Sequence, residues 1–145
     1  ERNHQMVIST GLSDKVGEHF IMPAELGPNQ GAELYGSQIS SEIPFDMVLL
    51  GMGEDGHTAS LFPDLQWDIS GDDWVIPVFD APKPPAGRIS LTKMALQNCL
   101  KMLVIITGSS KREAVKRWKN GARLPISEVA SCDHSTVYVE RELLL

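Results

Sequence analysis

The sequence predicts an α/β fold, a mostly parallel sheet covered by helices. Three observations lead there. Two wholly apolar runs, residues 47–50 (MVLL) and 102–106 (MLVII), have strand length and lack polar alternation, as expected of strands buried on both faces. Stretches of helical period, with recognisable start and stop residues, lie between and after them. Glycines follow both runs closely, Gly51 after the first and Gly108 after the second, and mark sharp turns at strand ends. In sheets of this class ligands bind at the carboxyl ends of strands, so chemistry is expected at those turns. The 145 residues are enough for a single domain with a hydrophobic core, and all of 1–145 is assigned to one domain.

Taken in order, residues 4–12 carry a helical pattern that ends near Gly11. Residues 22–28, with Pro23, Gly27 and Pro28, read as a loop. Asn29 stands where it can cap a helix whose apolar side holds Ala32, Tyr35 and Ile39. Pro44 closes that unit, and 45–50 reads as a buried strand. A polar, irregular stretch is expected over 64–73. A second strand is expected at 74–79, where Pro77 demotes it towards a sheet edge. The run 80–87 (DAPKPPAG) is a stiff loop. Thr92 caps a short helix reaching Asn98, and the apolar strand 102–106 follows. Residues 110–113 (SKRE) match a capping box, opening a helix with Ala114, Val115 and Trp118 inward and Gly121 as its stop. Residues 137–139 form the last expected strand. Leu61, Phe62, Trp67 and Trp74 are assigned to the core.

A formal net charge of −6 disfavours a nucleic-acid partner, which needs a concentrated basic face. Lys111, Arg112, Lys116, Arg117 and Lys119 form the one basic cluster, and on a helix they read as its solvated side. No apolar run is long enough to span a bilayer, and the first residues do not resemble a signal peptide. A cytoplasmic protein without a membrane partner is therefore expected. Cys99 and Cys132 are isolated and the four histidines are scattered, which gives no metal-ligand spacing.

Residues 51–56 (GMGEDG) read as G-x-G-x-x-G after a strand, the pattern of a Rossmann dinucleotide loop. Three features oppose that reading. Glu54 and Asp55 would face a pyrophosphate with two like charges. Pro63 cuts short the crossover helix that should follow. Asp80 is a poor match for the ribose-binding acid expected about 20 residues on. The glycines instead serve to turn the backbone and to hold Asp55 and His57 at a strand end. Imidazole is the side chain best suited to general-base work near neutral pH, which makes His57 the first candidate.

The whole run 51–63 (GMGEDGHTASLFP) resembles the signature of the 6-phosphogluconolactonases. Residues 82–85 (PKPP) followed by 88–92 (RISLT) resemble a further block of that family, as does 103–111 (LVIITGSSK). The sister group, the glucosamine-6-phosphate deaminases, shares the glycine core but continues it differently from Thr58 onward. The resemblance implies a Rossmann-like fold of which this chain is the C-terminal part, the first strands and an upstream phosphate loop lying outside it. It implies hydrolysis of 6-phosphogluconolactone to 6-phosphogluconate, with His57 as the base that activates water. Asp55 orients His57 or engages a cationic neighbour, or else bonds loop amides. Gly53 and Gly56 let backbone N–H groups approach the oxyanion. Lys83, on its proline-stiffened loop, binds phosphate. Arg88 either clamps phosphate or pairs with a surface acid. Thr58 and Ser60 cap a short helix after the loop. No cofactor and no metal is implied, the partner is a small phosphosugar lactone, and a monomer is expected. The alternatives are deaminase/isomerase activity on an amino-sugar phosphate and non-catalytic sugar-phosphate binding.

Overall fold

The computed structural model describes residues 3–67 and 71–145. Residues 68–70 of the predicted irregular stretch lie outside the described residues. The chain opens with helix α1 (Asn3–Ser9), which closes in a turn at Gly11 (φ 69°) as its pattern predicts. Helix α2 spans Pro28–Ile39 and buries Ala32 and Ile39. Its start differs from the expectation. Gly27 (φ 79°) is the N-cap and Pro28 the first helical residue, so Asn29 lies inside the helix. Proline suits that position because its missing N–H has no partner there anyway.

Five strands form two sheets. β1 (Phe45–Gly51), β4 (Cys99–Ile106) and β5 (Ser135–Val139) make a parallel sheet in the order β1-β4-β5. β2 (Val75–Val78) and β3 (Arg88–Leu91) make a separate antiparallel pair, with Pro77 opposite Ile89. β3 has no counterpart among the predicted elements. Its four residues carry only two clearly apolar side chains, too short a signal for periodicity. The last expected strand extends back to Ser135, and β4 back to Cys99.

Helices α3 (Lys93–Gln97), α4 (Arg112–Lys119) and α5 (Pro125–Val129) pack with the main core on one face of the parallel sheet. Val48, Met102, Val104 and Ile106 meet Leu96, Ala114, Val115, Ile126 and Val129 there. A smaller cluster joins Ala32 and Ile39 of α2 to Val75 and Ile89 of the antiparallel pair. Leu61, Phe62 and Trp67 are core as assigned, while Trp74 is only partly buried at the edge of the smaller cluster.

Two cap expectations divide. Thr92 caps α3, its Oγ1 accepting the Ala95 amide at 3.1 Å. The predicted capping box at 110–113 does not form. Ser109–Lys111 makes a 3₁₀ turn and α4 begins at Arg112 with no side-chain cap. Gly121 (φ 82°) does end that helix. Helix α5 has no counterpart among the predicted elements, its sequence being short and mixed.

The largest departure concerns β1. Expected to be buried, it buries only Val48 fully, while Met47 and Leu49 are 54% and 64% exposed. The register sets Met47 and Leu49 on one face with Leu103, Ile105 and Tyr138. The packed helices lie on the other face. β1 is also an edge strand, with no hydrogen-bonded strand on its outer side among the described residues.

Candidate active site at the end of β1

The loop after β1 turns because of its glycines, and two of them are required for different reasons. A Cβ on Gly53 would fall inside the His57 imidazole, so only glycine lets the ring lie over the backbone. Gly56 has φ 92°, and a Cβ there would meet Leu124 at 2.8 Å. Leu124 and Ile126 come from the distant start of α5, and the Ile126 amide donates to the Gly56 carbonyl at 3.1 Å. The loop is thereby bolted to the core.

Asp55 and His57 form one unit. The same Asp55 Oδ1 accepts the His57 backbone N–H at 3.0 Å and lies 2.6 Å from Nδ1. A carboxylate at Nδ1 favours the proton there and leaves the Nε2 lone pair available. Burial pushes the Asp55 carboxyl up, but the His57 amide, ring and charge together outweigh it and hold it below its ordinary value. Of the three roles given for Asp55, the contact with the His57 ring and the bond to a loop amide occur together in one contact set. The His57 side chain remains 23% exposed, enough to meet a small molecule. Its ring packs on Phe62, with centroids 4.6 Å apart and planes inclined at 44°.

The amides of the two glycines are bonded within the loop itself. Gly53 N–H donates to the His57 carbonyl at 2.8 Å, and Gly56 N–H to the Gly53 carbonyl at 3.1 Å. Both are committed to holding the turn. The helix expected after the loop is absent. Thr58, fully buried, donates from Oγ1 to the Gly51 carbonyl at 2.9 Å, and the Ser60 amide donates to Ser90 Oγ at 3.0 Å. These two residues close a tight turn, marked by the Thr58–Leu61 bridge and by Ala59 at φ 49°. Ser90, buried on β3, escaped sequence reasoning because serine in an apolar run carries no distinctive signal.

Lys83 sits on the loop between β2 and β3. Its ammonium lies 3.7 Å from Glu54 of the glycine loop, and both side chains are largely exposed. An ion pair so solvated is weak and easily exchanged for another anion. Arg88, half-buried at the start of β3, is turned onto its own loop. Nε donates to the Pro85 carbonyl at 3.0 Å and Nη2 to the Lys83 carbonyl at 2.7 Å. Its guanidinium carbon stands 5.4 Å from the Phe62 ring centroid. The structure therefore gathers His57, Asp55, Lys83 and Arg88 around the end of β1. A cavity of about 420 Å³ along β1 reaches Ser60 and Arg88, though His57 does not line it. Among the described residues no cluster of metal-ligating side chains occurs, and no helix is long and apolar enough to cross a membrane.

The chain is similar to several known proteins. The chain is 36% identical over 99 residues to the chloroplastic 6-phosphogluconolactonase 3 of Arabidopsis thaliana, covering 67% of this chain and 30% of that one. It is 41% identical over 88 residues to a probable 6-phosphogluconolactonase of Schizosaccharomyces pombe, covering 58% and 33%. Among solved structures, the 6-phosphogluconolactonase of Thermotoga maritima superposes with a TM-score of 0.66 at 32% identity, covering 76% of this chain and 50% of that one. The enzyme from Trypanosoma brucei gives 0.68 at 26% identity, over 90% and 57%. The chain thus spans about a third of the curated relatives and about half of the solved structures it matches. The model of the glucosamine-6-phosphate isomerases/6-phosphogluconolactonase family matches residues 1–138, and the chain belongs to that family.

Proposed function

We propose that this chain carries the water-activating half of a 6-phosphogluconolactonase site. The observation that carries the reading is the His57–Asp55 couple at the end of β1, with Nδ1 2.6 Å from the carboxylate, an arrangement that favours the proton on Nδ1 and leaves Nε2 to accept one. The lactonase-type continuation over 58–63 and the lactonase relatives support the same reading.

Hydrolysis then runs in two proton movements. His57 Nε2 takes a proton from water as its oxygen attacks the lactone carbonyl carbon. The tetrahedral intermediate collapses, the bond from that carbon to the ring oxygen breaks, and the imidazolium returns the proton to the departing oxygen. Asp55 holds the imidazole in the correct tautomer and stabilises the cation that forms between the two movements. Lys83, whose loop is stiffened by prolines, exchanges Glu54 for the substrate phosphate and so fixes the lactone's orientation. The glycine amides being occupied, the oxyanion is met by groups other than Gly53 N–H and Gly56 N–H.

The test is acid release from fresh 6-phosphogluconolactone above spontaneous hydrolysis. His57→Ala is expected to lower kcat by ~10²–10⁴ with little change in fold. Activity retained in His57→Ala would remove the histidine from this role.

A further inference from the structure

We propose that Arg88 is a positioning residue that sets the span between Lys83 and His57, and that it does so by holding the backbone of its own loop rather than by touching phosphate. The inference rests on the lactonase reading for the roles of Lys83 and His57, and on geometry for everything else. Arg88 spends two of its donors on the carbonyls of Lys83 and Pro85, two residues apart on the same loop. Guanidinium is a rigid fork, so holding both oxygens fixes the Lys83–Pro84 and Pro85–Ala86 peptide units, which bracket the two prolines. The loop is closed from its other side by the Ala81 amide, which donates to the Ala86 carbonyl at 3.0 Å. Lys83 is thus an exposed cation on an immobilised backbone.

The other end of the strut is Phe62. The guanidinium lies against this ring, which is only 2% exposed and packs in turn on the imidazole. A cation beside an aromatic ring gains electrostatic attraction, strongest where water is excluded. Arg88, Phe62 and His57 form a contact chain from the phosphate loop to the base. Two residues along β3, Ser90 Oγ takes the Ser60 amide and anchors the same strand to the same turn. The two groups that must grip opposite ends of one substrate are therefore held at a set separation by protein–protein contacts. A lactone whose phosphate stands at another distance from its carbonyl would satisfy one group and miss the other.

The experiment uses the full chain with Lys83→Ala, Arg88→Met, Arg88→Lys and the double variant Lys83→Ala/Arg88→Met. With 6-phosphogluconolactone, Arg88→Met is expected to raise KM about as much as Lys83→Ala, and the double variant to stay within about twofold of Lys83→Ala. Residues acting as a unit are non-additive in this way. Arg88→Lys is expected to behave as Arg88→Met, since an ammonium cannot hold both carbonyls. Multiplicative KM effects, or rescue by lysine, would mean that Arg88 meets the phosphate itself and would overturn the proposal. Backbone ¹⁵N relaxation across 81–87 gives a substrate-free reading. Order lost at Lys83 in both Arg88 variants supports the strut, and order unchanged in both overturns it. Absence of lactonase activity even when the upstream part of the domain is restored sinks the functional reading alone, and the relaxation data then decide the strut.

Discussion

At the scale of single residues, the most constrained position is Gly53, because the imidazole of His57 occupies the space any Cβ would need. Gly53→Ala is expected to displace the ring from Asp55, cost about 1–3 kcal/mol as an overpacked site does, and remove most activity. Thermal melting and kcat measured together check both halves. Asp55→Asn keeps the shape but not the charge, and kcat is expected to fall at least about tenfold. The loss should stay below the ~10⁴ of a buried triad carboxylate, since the Asp55 side chain is 40% exposed. Because the folded-state pKa of Asp55 is lowered, its contribution to stability is complete above its ordinary value of 3.8 and is lost as pH falls below that. Acid unfolding of the wild type and Asp55→Asn should therefore converge below pH 3.8. Curves that stay parallel at all pH would deny the link. His57 and Asp55 were legible in the sequence because spacing alone sets i and i+2 at a strand-end turn. The commitment of Arg88 to its own loop was not, since its partners are carbonyls, and every residue offers one.

At the scale of elements, β1 shows how burial depends on neighbours and not on composition. Its apolar run correctly signals a strand, yet an edge strand with helices on one face only must expose half of its side chains. Met47 and Leu49, with Ile105 and Tyr138, make an apolar face of the kind that associates in water. Leu49→Lys is expected to change stability by no more than about 0.5 kcal/mol, which thermal melting of the two chains checks. The cap of α2 makes a related point. Gly27-Pro28 and Asn29 both offer a helix start, and the glycine–proline pair prevails because Pro28 already holds helical φ.

At the scale of the whole molecule, the glycine loop is coupled to the core through α5. Leu124 is fully buried beneath Gly56, and the Ile126 amide holds the Gly56 carbonyl. Leu124→Ala should cost about 2–5 kcal/mol and lower kcat with KM nearly unchanged, because the cavity opens under the base and not under Lys83. Stability and activity measured on one sample check this, and a KM effect larger than the kcat effect would contradict it. Over this distance in sequence no local pattern could announce the contact.

By itself the sequence determined the α/β class, the strands at β1 and β4, the α4 stop, the Thr92 cap and the strand-end turn bearing Asp55 and His57. These follow from short-range rules: apolar runs, turn residues, and side chains that reach a partner within a few positions. Only the tertiary structure decided the antiparallel pairing of β2 with β3, the exposed face of β1, the seat of Leu124 under Gly56, and the turn of Arg88 onto the Lys83 loop. Each of those depends on which segments meet in space. That choice is made by packing the whole chain, where burial of distant apolar surface outweighs the preferences of any one stretch.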